Sequence, residues 1–206
     1  MKTVFQIILA IVIVILGYLI VQSIMKPIRF NKERNIREKA TIAKLKDIRT
    51  MEVAYKDKYN KYTGSFDTLI RFVKHDSFDI VKIIGAYDQD EMTQAQALKK
   101  GIIKKSVTKI PVMDSLFKPG FPVDSVRYIP YTDNAQFGLG AGSIKTGSGV
   151  VVQVFQASAL YDTLLAGMDK QLIINYKEEQ TKITKFPGLR VGSLTEPTNN
   201  AGNWEK

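Results

Sequence analysis

Only a few side chains in this sequence have the chemistry to act on a substrate. The 206-residue chain contains one histidine, His75, and no cysteine, which excludes thiol nucleophiles and disulfides. A histidine can serve as a general base when a nucleophile lies beside it. His75 instead stands between Lys74 and Asp76 in a polar stretch. We therefore expect His75 to be solvated, and we predict no catalytic residue and no enzymatic activity.

A glycine-rich segment that reads GAGSIKT at 140–146 is the second candidate. Phosphate-binding loops of the Walker type need a glycine directly before the lysine, and this chain has Ile144 there. The segment also leads into a predicted strand, so no helix N-terminus would present backbone N–H groups to a phosphate. We interpret these glycines as part of a hairpin and expect no cofactor and no small-molecule substrate.

The acidic run Asp88-Gln89-Asp90-Glu91 is the third candidate. Its carboxylates could bind a hard cation such as Ca²⁺, but the remaining positions of an EF-hand loop are missing. Acidic residues that open a helix are also stabilised by the helix dipole without any metal. We favour this second interpretation and predict no metal site, with the cation as the alternative.

The strongest signal is an uncharged run of 22 residues, from Val4 to Met25. As a helix it would reach roughly 33 Å, enough for a hydrocarbon core of ~30 Å. A cleaved signal peptide would have a shorter apolar stretch and a small-residue cleavage site, and the run ends without one. A retained membrane anchor is therefore the favoured interpretation over a cleaved signal or a buried core helix.

The net charge of +10 is concentrated beside this run. Residues 26–62 hold 12 Lys and Arg against 5 Asp and Glu, whereas residues 63–206 hold 17 against 15. Basic residues at this position are attracted to anionic lipid headgroups, and no nucleic-acid-binding motif is present. We expect the lipid bilayer, and not a nucleic acid, to be the partner of this charge.

From about Asn31 the composition becomes strongly helical, with a single apolar stripe. Spacings of three and four residues predict one buried face. Glu52 and Lys56 are predicted to form an acid–base pair four residues apart on this helix. Thr63-Gly64-Ser65 is predicted to end the helix. We predict that the stripe either packs on the chain's own domain or binds a partner protein, and its candidate partner-binding residues are Leu45, Ile48, Tyr55, Tyr59 and Tyr62.

The remaining sequence alternates short helices and strands and becomes β-rich in its last third. Helices are predicted at 66–73, with Ser65 as N-cap, at 88–100 and at 158–166. Strands are predicted at 78–84, 104–112, 123–131, 135–141, 149–156, 171–176 and 189–194. The tail from Thr195 reads as a surface loop that Trp204 could dock onto the domain.

The order of these segments resembles type IV pilins and type II secretion pseudopilins. The resemblance rests on the apolar helix that continues through Pro27 and on the sequences IRTMEVAY at 48–55 and YNKYT at 59–63. It implies that the second half of the helix packs on an antiparallel sheet and that copies assemble by helix packing. The chain lacks the glycine of the prepilin peptidase motif and the glutamate of the mature N-terminus. These departures favour a permanent anchor beneath a pilin-like domain.

The predicted fold class is α+β, with a transmembrane anchor at 1–26, a juxtamembrane amphipathic helix at 27–62 and a globular α+β domain at 63–206. We expect a single-pass inner-membrane protein that forms homo-oligomers or binds other envelope proteins. The alternative is a monomeric tethered binding module for a soluble ligand or an envelope partner. The resemblance places the C-terminal domain in the periplasm, whereas the basic flank taken alone favours the cytoplasm.

Overall fold

The computed structural model describes residues 2–86 and 93–205. It confirms the α+β class and combines one very long helix with two small antiparallel sheets. The helices are α1 (Lys2–Tyr59), α2 (Phe66–His75), α3 (Gln94–Lys99), α4 (Val112–Leu116), α5 (Tyr161–Leu164) and α6 (Lys170–Thr184). The strands are β1 (Ser77–Ile84), β2 (Lys104–Pro111), β3 (Gly138–Lys145), β4 (Val151–Leu160) and β5 (Gly188–Gly192).

Helix α1 runs without interruption through Pro27 and joins the apolar run to the amphipathic segment. Its end differs from the prediction, since the helix stops at Tyr59 and not at the Thr63-Gly64-Ser65 turn. Asn60 takes a left-handed conformation with φ of 57°, and its N–H bonds the Lys56 carbonyl at 2.7 Å. Asparagine tolerates this conformation well, so it closes the helix as a glycine would.

The core lies between the second half of α1 and a three-stranded sheet in the order β3-β4-β5. In both pairs the strands are antiparallel, with Leu139 opposite Ala157 and Ala157 opposite Val191. Helices α2 and α5 close the sides of this core. The buried side chains on the inner face of α1 include Leu45, Ile48, Met51 and Tyr55, as the apolar stripe predicted.

Strands β1 and β2 form a separate two-stranded arm. They pair along their full length, from Ser77 opposite Pro111 to Ile84 opposite Lys104. Most of their residues are exposed, and the arm meets the domain mainly at its base, where Lys58 donates to the Ser77 carbonyl at 2.9 Å. Helix α3 lies between the two strands in sequence. It covers part of the predicted helix at 88–100, whose acidic run lies outside the described residues.

Two predicted strands are wrong. Residues 123–131 form a 3₁₀ helix, Val123–Arg127, followed by a single bridge between Tyr128 and Gln136. Here Ser125 donates both its N–H and its hydroxyl to the Pro122 carbonyl, which turns the chain. Residues 171–176 belong to α6, because Oδ1 of Asp169 accepts the N–H groups of Gln171 and Leu172 and caps a helix there.

The other elements were predicted at their places with shifted ends. Strands β1 and β2 lie where expected, and Ser65 caps α2 by accepting the N–H of Thr68. Strand β4 runs on to Leu160, which shortens the helix predicted at 158–166 to α5. The tail docks as predicted, because Trp204 packs against the core and Gly202 bridges Val191.

Candidate membrane anchor and interaction surfaces

The first part of α1, residues 2–29, has nearly every side chain exposed. Its large apolar residues between Val4 and Met25 are 38% to 71% exposed. Among the described residues, α1 is the one helix long and apolar enough to cross a membrane, with a mean hydropathy of 3.0 in its most apolar 18-residue window. In water, so much exposed apolar surface would be strongly unfavourable, which makes this segment a candidate membrane span.

Basic residues follow the apolar part of α1 and divide into two groups by their contacts. Lys26, Arg29 and Lys32 are exposed. Arg37 instead turns inward and donates to the carbonyls of Leu164 and Ala166 at 3.2 and 3.0 Å. Since these carbonyls belong to α5 and to the loop that follows it, Arg37 fixes that loop against α1 just above the apolar segment.

An aromatic and ionic cluster fixes α6 to the same part of α1. The Tyr176 hydroxyl donates to Glu38 at 2.7 Å, and the Arg34 guanidinium lies 4.3 Å from the centre of the Tyr176 ring. The rings of Phe30 and Tyr161 meet Tyr176 edge to face, with centres 6.5 and 5.0 Å away. We call Phe30, Arg34, Glu38, Tyr161 and Tyr176 the α1–α6 clamp.

The clamp is buried enough to change the proton affinities of its acids. Burial raises the pKa of the Glu38 carboxyl, while the hydrogen bond from Tyr176 and the charge of Arg34 lower it. Burial also raises the pKa of Tyr161 to about 12. The pKa of Tyr176 is raised by burial and by its hydrogen bond to Glu38. Both phenols therefore stay protonated at neutral pH, and Tyr176 stays a donor.

The sequence-predicted partner-binding residues lie mainly inside the molecule. Leu45, Ile48, Tyr55 and Tyr62 are buried, whereas Tyr59 is 42% exposed. The Tyr62 ring meets Phe155 of the sheet with centres 4.8 Å apart, and Tyr55 meets Phe72 of α2 at 5.2 Å. Of the two interpretations of the stripe, this burial favours packing on the chain's own domain. Contact with a partner stays a prediction.

Glu52 lies in this buried face, and its predicted pairing with Lys56 is wrong. Its side chain is 0% exposed, and Oε2 accepts the backbone N–H of Thr63 at 3.0 Å. Burial raises its pKa to about 8. The predicted partner, Lys56, instead lies 5.0 Å from the ring centre of Tyr62. Position 52 falls between Ile48 and Tyr55 at stripe spacing, and that spacing was the signal that could have revealed its burial.

The arm formed by β1 and β2 is the second exposed surface. Directly paired residues share a face, so Val81 and Val107 lie on one face and Ile80 and Thr108 on the other. Its exposed large apolar side chains on the strands are Ile80, Val81, Ile83, Ile84 and Val107. A two-stranded hairpin is marginally stable by itself in water, so apolar residues on both faces of this arm make it a candidate contact surface.

The residues considered for chemistry are dispersed in the part of the chain that the structure describes. His75 is exposed at the end of α2. Within that part, no three His, Asp or Glu side chains gather in a metal-binding group. Gly138, Gly140 and Gly142 lie in β3, and the connection to β4 follows, in agreement with the hairpin interpretation.

Comparison with known proteins identifies no relative, since no family model, no curated protein and no solved structure matches this chain. Function is therefore inferred from the geometry of α1, the clamp and the arm.

Proposed function

We propose that this protein is a non-enzymatic, membrane-anchored envelope protein, a pilin- or pseudopilin-like subunit or accessory that acts by helix packing and protein–protein assembly. The observation that carries the proposal is the division of α1. Its first half exposes apolar side chains on every side, and its second half packs on an antiparallel sheet. One unbroken helix thus joins a membrane-spanning length to a folded domain.

The bilayer is the medium that best accommodates the first half of α1. Lipid removes its apolar side chains from water, and a helix leaves no backbone group without a partner inside the hydrocarbon. Lys2 and Lys26 bound the run at its two ends, where their side chains can reach the headgroups. The same half of α1 can contact spans of neighbouring copies without disturbing the domain.

Above the membrane, assembly would use the outer face of α1. The inner face is buried, but the opposite face exposes Ile36, Ala43 and Thr50 at seven-residue spacing. Side chains seven apart lie on one side of a helix, so these residues form a narrow surface continuous with the span. Homo-oligomers or complexes with other envelope proteins would form along this surface.

Crosslinking in the membrane tests the assembly. The chain has no cysteine, so a single cysteine placed at successive positions from Ala10 to Ile20 gives the only disulfide between copies. Assembly predicts dimers at positions that repeat every three to four residues. Cysteine at Thr93, directly before α3 and outside the span, is the control and should crosslink less. Uniformly low crosslinking along the span would contradict assembly through it.

Topology decides whether the envelope assignment survives. We propose an inner-membrane protein with its domain in the periplasm, although the basic flank after the span favours the cytoplasm. Fusions after Lys206 to a reporter active only in the periplasm, and in parallel to one active only in the cytoplasm, measure this. A cytoplasmic domain would overturn the pilin-like assignment and leave a tethered module in the cytoplasm.

The second candidate function is a monomeric tethered binding module. The exposed apolar residues on both faces of the β1–β2 arm favour it. Replacing Val81 and Val107 together by Thr keeps β propensity and removes apolar surface. A monomeric binding module would then lose its co-purified envelope partner, and its spans would crosslink little with or without the substitution. A filament subunit would instead crosslink along the span, and the substitutions in the arm would leave its assembly unchanged.

A further inference from the structure

We propose that the loop and first turn of α6, residues 167–172, form a second membrane contact that binds the phosphate headgroups of anionic lipids. This contact would hold the domain in a fixed orientation on the bilayer surface. The inference rests on the proposed anchoring of α1, and the experiment below separates the two.

The position of this turn along α1 is the first observation. A crevice of about 410 Å³ lies between the end of the apolar run and the start of α6. Its α1 side is lined by Leu19, Gln22, Ser23, Lys26 and Pro27, and its α6 side by Asp169, Gln171 and Leu172. The first turn of α6 therefore lies beside residues that belong to the span itself.

The depth of the turn follows from helix geometry. At 1.5 Å rise per residue, Leu19 lies roughly 10 Å nearer the membrane centre than Lys26. The polar layer on each side of the hydrocarbon core is only about 5–8 Å thick. If Val4 to Met25 spans the core, Lys26 and Pro27 lie in this polar layer, and a turn that lines the same crevice meets the headgroups there. The domain therefore does not stand clear of the membrane on a stalk.

The side chains at this level match an anionic headgroup layer. Lys26 and Arg29 on α1 and Lys170 on α6 are exposed, and half-buried Met168 and Leu172 add apolar surface beside them. The one acid here, Asp169, already accepts the N–H groups of Gln171 and Leu172 as the helix cap. Pro27 has no N–H for the Ser23 carbonyl, so the crevice also offers a backbone acceptor to headgroup donors or interfacial water.

The turn is held at this depth by contacts that do not involve lipid. Arg37 binds the carbonyls of Leu164 and Ala166 at the start of the loop. The α1–α6 clamp fixes the helix two turns further along, through the 2.7 Å hydrogen bond from Tyr176 to Glu38. The first contact joins α5 and the loop, and the second joins α6, to the same helix that forms the span. The turn therefore moves with the anchor and meets the bilayer whenever the span is inserted.

Site-specific fluorescence in vesicles tests the contact on the full chain. Single cysteines at Ile15, Gln171 and Glu178 are labelled with an environment-sensitive fluorophore, since the chain has no other cysteine. Vesicles are made of phosphatidylcholine alone or with about one third phosphatidylglycerol, and spin-labelled lipids quench the fluorophore. Ile15 reports insertion of the span, Gln171 reports the proposed contact, and Glu178 lies two helical turns beyond it on the exposed side of α6.

We expect quenching at Ile15 by chain-labelled lipid, quenching at Gln171 by headgroup-labelled lipid, and little quenching at Glu178. Phosphatidylglycerol should increase the contact at Gln171. Lys170→Glu should decrease it at least roughly fivefold, since the loss of one basic residue near an anionic surface costs about that factor and the substitution also adds a negative charge. The substitution places an acid at a helix start, which the helix dipole tolerates. Lys61→Glu makes the same charge change beyond the far end of α1 and should have no effect.

The outcomes separate the two proposals. An unquenched label at Ile15 would overturn the anchoring of α1, and the lipid contact with it. Quenching at Ile15 without quenching at Gln171 would overturn the lipid contact alone. Equal quenching at Gln171 in both vesicle types, unaffected by Lys170→Glu, would overturn the recognition of anionic headgroups.

Discussion

Glu52 should make the stability of the domain fall as pH rises through neutrality. Its carboxyl is fully buried, and its one hydrogen bond, from the Thr63 N–H, ties the second half of α1 to the segment that leaves it. Burial raises the pKa from 4.5 to about 8, because the interior disfavours the charged form. The folded protein therefore holds a proton on Glu52 that the unfolded chain has already released.

The size of the effect follows from the two pKa values. A folded-state pKa above the unfolded value contributes stability that is fully present below pH 4.5 and is lost as the pH rises to about 8. In that window the free energy of unfolding should fall by up to ~1.4 kcal/mol per pH unit. Over the whole interval the loss is at most about 5 kcal/mol, a large part of the stability of a typical domain.

Substitution of Glu52 by Gln tests this reasoning, because an amide has the shape of the protonated acid and does not titrate. Urea unfolding of the full chain in mild detergent can be followed by the fluorescence of Trp204, the single tryptophan, from pH 4.5 to 9. The variant should gain stability relative to wild type by several kcal/mol across this range. Asp57→Asn, at an exposed position of the same helix, is the control, and its free energy of unfolding should change with pH as that of the wild type does. If the free energy of unfolding of Glu52→Gln changed with pH in the same way as that of the wild type, a buried neutral Glu52 would be refuted.

Three further substitutions test the packing around α1. Ile48→Ala should lower the free energy of unfolding by about 2–5 kcal/mol, since it opens a cavity in a fully buried site, and an unchanged urea midpoint would contradict that burial. Tyr176→Phe removes the donor to Glu38, so it should lower the free energy of unfolding by about 1–3 kcal/mol and raise the Glu38 pKa further. A free energy of unfolding equal to that of the wild type above pH 6 would argue against the clamp. Gly192→Ala should lower the free energy of unfolding by at least about 3 kcal/mol, because φ is +70° and the new Cβ would lie 2.2 Å from the Phe155 carbonyl oxygen. A variant that is folded like the wild type by circular dichroism would contradict the observed pairing of β4 with β5.

Elements specified by local signals could be predicted from the sequence. Helix α2 has its cap at Ser65, and β1 and β2 lie at the predicted places. The apolar span of α1 needed only its length and lack of charge. These features depend on residues a few positions apart, so no knowledge of the rest of the chain was required.

The two wrong strands depended on hydrogen bonds that short apolar windows do not reveal. The runs at 123–131 and 171–176 both contain β-branched and aromatic residues, which are typical of strands. In the first, Ser125 bonds the Pro122 carbonyl and turns the chain. In the second, Asp169 lies before the window and caps a helix of 15 residues. A search for caps outside each apolar window would have identified α6.

The candidate partner-binding residues illustrate a limit of a different kind. A stripe spaced by three and four residues is the same whether it faces the chain's own sheet or another molecule, so periodicity alone could not separate the two interpretations of Leu45, Ile48 and Tyr55. Their burial favours packing on the domain, since these side chains lie in its core, and contact with a partner stays a prediction. Along α1, contacts between copies above the membrane are then left to the outer face, with Ile36 and Ala43, and that face is narrow and mostly polar. Because so small a surface contributes little association energy, the proposed assembly would draw mainly on the candidate span and on the orientation that the bilayer imposes.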